Sequence, residues 1–251
     1  MPASRDAAMF PDWFHILSVC ALALGGICAL VLLIDVLRHP QAMGVMNVVW
    51  PVTALFGTVL TLWGYFRYGR DSTREAMHKA EAEKRDTSGE SEPFAAIVGK
   101  GALHCGAGCM VGDVIAEWLA FAVPVVAVWV GWHTLFDEKT FAVWVLDFLF
   151  AFVLGIAFQY FAIVPMRKLT PGKGIVEALK ADSLSLSAWQ IGMYGFMAFA
   201  QFYWFKRAFA TRADVNTPEF WFTMQIAMVA GFVTAYPVNW WLIRTGIKEK
   251  M

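Results

Sequence analysis

Residues 94–136 read FAAIVGKGALHCGAGCMVGDVIAEWLAFAVPVVAVWVGWHTLF. The run is twice what one perpendicular bilayer crossing needs, roughly 20 apolar residues. Its first half nevertheless carries a lysine, a histidine, two cysteines, an aspartate and a glutamate. Outward from it, further apolar runs occupy 13–34, 43–66, 141–164, 188–205 and 220–243. Together they predict an all-α, polytopic transmembrane bundle of about six spans. The third segment is either one crossing or two, with Pro124 and the glycines 99, 101, 106, 108 and 112 as places for a break. Of 251 residues, 59% are hydrophobic and 16% charged, against about a quarter charged in soluble domains. Twenty basic and twenty acidic residues balance to zero, which excludes a strongly basic nucleic-acid binder.

Charge distribution sets the expected orientation. Six crossings with the N-terminus inside place about 14 Lys and Arg in the cytoplasm and about five outside, whereas seven crossings give roughly 11 against 8. The sequence therefore predicts a multi-pass protein of the cytoplasmic membrane with both termini cytoplasmic. Residues 1–66 read as a two-helix transmembrane hairpin, 67–93 as a hydrophilic cytoplasmic loop, and 94–251 as a four-span core. The loop, RYGRDSTREAMHKAEAEKRDTSGESEP, has the composition of a solvated helix followed by a linker. Residues 172–182 form a short amphipathic piece expected to lie along the inner interface. The opening residues lack the basic start and cleavage site of a signal peptide, so the first run is expected to remain as a helix.

The chemistry concentrates in KGALHCGAGCMVGDVIAE, Lys100 to Glu117. On a helix, Cys105, Cys109, Asp113 and Glu117 follow one another at four-residue spacing as a slowly rotating stripe. An aspartate at mid-bilayer depth costs about 2.5–3.5 kcal/mol, so it faces the bundle interior and takes a partner; Lys100 or a metal would serve. Thiolate and imidazole are ligands of soft cations, Cu(I) first among them, and His104, Cys105 and Cys109 with Asp113 form the candidate metal set. Asp113 would orient a ligand, and Glu117 would carry the proton a thiol releases. The spacing is no zinc signature, which usually has two separated ligand pairs. A proton or ion relay through Asp113 and Glu117, or plain structural polarity, also fits. Gly108, Gly112 and Ala116 give the small-residue face that lets membrane helices approach closely.

Met193 and Met197 lie one turn apart in the fifth run, and Met224 and Met228 in the sixth. Thioethers also select Cu(I), although methionine is common core filler. Gln190 and Gln201 flank the first pair. Asp147 is an intramembrane acid without an evident partner, and so a functional candidate. Haem is disfavoured, because His15 and His133 fall on opposite sides of the expected topology.

The motif HCGAGCMVGD, with FQYFAIVPM, KADSLSLSAWQIGMYGFM and the C-terminal FWFTMQIAMVAGFVTAYPVNWWLIRTGIKEKM, resembles a family of uncharacterised bacterial and archaeal membrane proteins, the domain of unknown function 4396. The resemblance covers roughly 94–251. It implies a polytopic membrane protein with His104, Cys105, Cys109 and Asp113 at the family's signature positions and an association with copper-handling proteins. It implies no established activity. The combined expectation is a lipid-embedded protein that binds copper for transport or handling, with a homo-oligomer or a copper-handling protein as partner and no sign of an enzyme's cofactor site. The rivals are an ion- or proton-coupled transporter using Asp113, Glu117 and Asp147, and a scaffold acting through the 67–93 loop.

Overall fold

The computed structural model describes residues 10–82 and 92–250. Its elements are α1 (Asp12–Arg38), α2 (Met46–Gly64), α3 (Arg74–Ala82), α4 (Phe94–Ala122), α5 (Val125–Trp129), α6 (Lys139–Arg167), α7 (Pro171–Ala198), α8 (Phe205–Phe209) and α9 (Pro218–Arg244). Among the described residues there is no β-strand, and the all-α transmembrane bundle read from the sequence is what forms. Five stretches are long and apolar enough to cross a membrane: Asp12–Arg38, Met46–Ser72, Phe94–Ala122, Lys139–Arg167 and Pro218–Arg244. α7 begins polar, but it shows Leu184, Ile191 and Phe199 on its outer side. It continues through a wider π turn, Phe199–Trp204, into α8, so 171–209 is one long rod.

The long third segment makes one crossing. α4 stays helical through all its glycines and ends at Val123, where φ −128° and ψ 75° leave the helical region. Pro124 explains the stop, since it has no N–H to donate and disfavours helical backbone in the residue before it. The glycines serve packing instead. A Cβ at Gly108 would sit 2.7 Å from Gly155 Cα, and one at Gly112 would collide with the backbone of Ala151. α4 and α6 are thus antiparallel and nearly in backbone contact, the geometry that small residues permit between membrane helices. α6 and α7 pair in the same sense, with Tyr160 beside Gly174 and Trp144 stacked on Tyr194 at 4.8 Å. α7 and α9 follow, with the Thr234 hydroxyl donating to Ala188 O at 2.7 Å.

Residues 172–182 do not lie along the interface as expected. They are the first turns of α7, with Pro171 at its first position, and they bury Gly174, Ala178, Ala181 and Asp182. At the opposite end Arg212 donates two hydrogen bonds to Glu138, at 2.8 and 3.0 Å, tying the α5–α6 loop to the α8–α9 loop. The guanidinium holds the Glu138 carboxyl below its ordinary pKa. This contribution to stability is present above the unfolded value and is lost as pH falls through the lowered one.

The second apolar run departs most from expectation. α2 breaks at Thr58, whose φ of 44° and ψ of −124° lie far outside the helical region. For a β-branched residue such a conformation costs about 1–3 kcal/mol. The chain reverses there. Past the break it runs back beside its own first arm: Tyr65 packs on Trp50 with ring centroids 5.3 Å apart, and Gly69 lies against the same indole. Thr73 bridges to Gln41, and Ala42 N donates to Ser72 O at 2.9 Å. Residues 46–72 are therefore a re-entrant hairpin that enters and leaves at one end of the bundle. Its tip rests against Gly25, at the middle of α1, and Gln225, two turns into α9.

This fold-back changes the parity of the bundle. Four long helices other than the hairpin, together with α7–α8, run end to end. The start of α1 packs Phe10 and Phe14 on Phe205 and Phe209, and His15 bonds Glu219 at 2.7 Å. Lys248, after α9, reaches Gly101 and Asp182 at the other end. The two ends of the described chain thus lie at opposite ends of the bundle, not on one side as six crossings required. Single cysteines at Asp12, Glu75 and Lys173, placed in a Cys20→Ala background, test this with a membrane-impermeant maleimide on sealed cells. Glu75→Cys and Lys173→Cys are expected to behave alike and Asp12→Cys oppositely. Identical labelling of all three would restore the six-crossing arrangement.

Candidate functional site

The α4 stripe predicted from the sequence forms and is buried. His104, Cys105, Cys109 and Asp113 have no exposed surface, and Glu117 has 5%. The four proposed ligands do not converge. Among the described residues no three His, Cys, Asp or Glu side chains gather where they could share a metal ion. His104 turns toward α6, its ring 6.3 Å from that of Phe158, whose backbone lies within reach of the imidazole. Cys105 and Cys109 lie one turn apart on α4, both free and buried. They belong to the apolar cluster that holds Leu186, Trp189, Met193 and Met197.

Asp113 opens a different group. Its Oδ1 accepts from Gln190 Nε2 of α7 at 3.0 Å, while Oδ2 has no partner. Lys100, the expected partner, instead donates to Glu92 at 2.7 Å near the start of α4. Asp147 of α6 is fully buried and both its carboxyl oxygens are unpartnered. The register that sets Gly112 against Ala151 brings Asp147 of α6 level with the Asp113–Glu117 turn of α4. Tyr194 of α7 donates its hydroxyl to Trp144 O at 3.0 Å, one turn from Asp147 on α6. Lys139 is the cation nearest Glu117, and its ammonium also bonds Ala120 O, capping α4, at 3.0 Å.

A second polar layer lies toward the other end of α4. Lys248 Nζ donates to Asp182 Oδ1 at 2.8 Å and to Gly101 O at 3.1 Å, with both side chains fully buried. Beside them Asn239 donates to Ser185 Oγ at 2.7 Å. The register that puts Gly108 beside Gly155 sets His104 level with Gln159, whose amide has no partner at either end. The α4 stripe therefore joins the two layers. Glu117, Asp113, Cys109, Cys105 and Gly101 succeed one another at one turn, about 6 Å of rise each.

All four methionines, Met193, Met197, Met224 and Met228, belong to the apolar cluster of the cysteines. Met224 and Met228 line a cleft of about 200 Å³ with Met110, Leu55 and Gln225, beside the hairpin tip, and Trp189 Nε1 donates to Met228 Sδ at 3.4 Å. Gln201 bonds the backbone of Ala213 in both directions, and Gln225 donates to Leu55 O at 2.6 Å. Sequence reasoning missed Asp182, read as the end of the interfacial piece 172–182, and Lys248, counted with the cytoplasmic basic residues. The available signal was that Asp182, Leu186, Trp189, Met193 and Met197 share one face of a single long helix.

Removing the Gln190 amide leaves a buried carboxyl without its donor, which costs about 1–3 kcal/mol. Gln190→Leu is expected to lower the thermal midpoint of the purified protein by several degrees. In Asp113→Leu the same change is expected to cost much less. Equal losses in both backgrounds would mean that the two side chains are energetically independent.

No curated protein and no solved structure matches the chain. Residues 96–248, which include the α4 stripe, both acidic layers and Lys248, match the model described as Domain of unknown function (DUF4396), and the chain belongs to that family.

Proposed function

We propose that the chain moves protons across the membrane along the α4–α6–α7 interface, as a proton-coupled transporter or a proton pathway. The observation that carries this reading is the trio Asp113, Glu117 and Asp147, three buried carboxyls level with one another on two helices packed nearly backbone to backbone, with three of their oxygens unpartnered. An ionisable group in a membrane interior is costly to keep, and interacting carboxyls share and exchange protons. A proton needs donors and acceptors in sequence, which the stripe supplies from Glu117 down to Cys105 and the His104 level. It needs no coordination shell.

The distribution of basic residues supports an orientation. Arg38, Arg67, Arg70, Arg74, Lys79, Arg167, Lys168, Lys173, Arg244 and Lys250 gather where the hairpin enters and α9 ends, against Lys139, Lys206, Arg207 and Arg212 at the other end. The positive-inside tendency puts the first end in the cytoplasm and the start of α1 outside. The membrane is then the cytoplasmic one.

A second reading keeps the soft metal. Cys105 and Cys109 are one turn apart, buried and clustered with Met193, Met197, Met224 and Met228, and two thiolates are a ligand set that Cu(I) accepts. His104 and Asp113 lie outside that pair.

Proteoliposomes under an imposed potential, with a pH dye inside, separate the two. Proton flux above that of empty vesicles is expected from the wild type, at least tenfold less from Asp147→Asn, and little change from Cys105→Ser/Cys109→Ser. A wild type no faster than empty vesicles, or an Asp147→Asn variant as fast as wild type, would remove the proton reading. For the metal reading, near-stoichiometric copper is expected in purified wild type and none in the double serine variant.

A further inference from the structure

We infer that Asp182 and the Gly101 carbonyl form a seat for a small monovalent cation, an alkali ion or ammonium, which the Lys248 ammonium fills as a tethered occupant. After α9 the chain reverses at Gly246, whose φ is +75°. The amides of Ile247 and Lys248 both donate to Leu242 O, at 3.0 and 3.1 Å. This turn sends Lys248 back into the bundle, where its side chain and that of Asp182 have no exposed surface. The next residue, Glu249, pairs with Arg167 at the surface.

The seat is larger than the ion pair. Asp182 Oδ2 and both ends of the Gln159 amide are buried and unpartnered, and the buried His104 lies one turn from Gly101 on α4. A latch serving stability alone would not leave these atoms unanswered, since each costs about 1–3 kcal/mol. A buried ion pair is itself a poor source of stability relative to apolar packing. Carboxylate, carbonyl and amide oxygens are the donors hard cations take. The only covalent tether of the ammonium is the turn at Gly246, so withdrawal needs a change in that turn and in the surface pair of Glu249. As the inner end of a cation path the seat rests on the reading proposed above; as a binding site it is testable without transport.

The test is thermal unfolding of purified full-length protein in choline chloride, replaced stepwise at constant ionic strength by potassium or ammonium chloride. Lys248→Ala is expected to unfold below wild type in choline and to recover by about 4 °C, saturably, in one of the two salts. Lys248→Ala/Asp182→Asn should not recover. A Lys248→Ala midpoint that ignores both salts, or a double variant that recovers equally, overturns the seat. Should Lys248→Ala fail to fold, acylation of Lys248 in the wild type replaces it: the rate should rise severalfold in potassium over choline, and an unchanged rate overturns the seat. Salt-dependent stabilisation without proton flux would keep the seat and remove the path, and flux without stabilisation the reverse.

Discussion

The hydrocarbon interior offers no water, so every polar group carried into it has to be answered by the protein. Here the answer depends on how closely α4 approaches α6. Gly108 against Gly155 and Gly112 against Ala151 bring the two backbones almost together, and that register puts Asp113, Glu117 and Asp147 at one level of the bundle. Larger residues at those positions would part the helices and separate the carboxyls. The glycines in the HCGAGCMVG stretch are thus part of the site although none has a functional side chain.

The same constraint orders the rest of the bundle. Amides act as cross-links between helices: Gln190 to Asp113, Asn239 to Ser185, Gln225 to the tip of the hairpin. The lipid-facing surfaces are correspondingly plain, with Leu60, Val153 and Ile191 among the most exposed side chains. Polar satisfaction inside and apolar exposure outside reverse the arrangement of a soluble domain. Among the described residues, buried atoms without a hydrogen-bond partner occur on Asp147, on Gln159 and Asp182, and also around the hairpin, on His39, Gln41 and Trp50.

Composition and run length made the membrane class and the helical bundle legible, because a span announces itself through consecutive apolar residues. The four-residue spacing likewise announced a buried stripe on α4. Three things were not legible. The reversal at Thr58 leaves no mark in hydropathy, since both arms of the hairpin are apolar and the turn residue is an ordinary threonine where glycine would have been the signal. The direction His104 takes depends on where α6 packs. The carboxyls were individually visible, but that Asp147 falls level with Asp113 and that Lys248 meets Asp182 depends on helix register. The stretch 83–91, read as linker, lies outside the described residues.

The hairpin tip has a consequence for how the chain is made. The Leu55 carbonyl at the tip accepts its hydrogen bond from Gln225, a residue 170 positions later in the chain. At roughly 5–20 residues per second, the ribosome delivers that donor about ten to thirty seconds after the hairpin has emerged. Until then the hairpin cannot take its final place, and it waits at the membrane surface or in the insertion machinery. Biogenesis therefore ends with the last helix, which locks an element synthesised near the beginning.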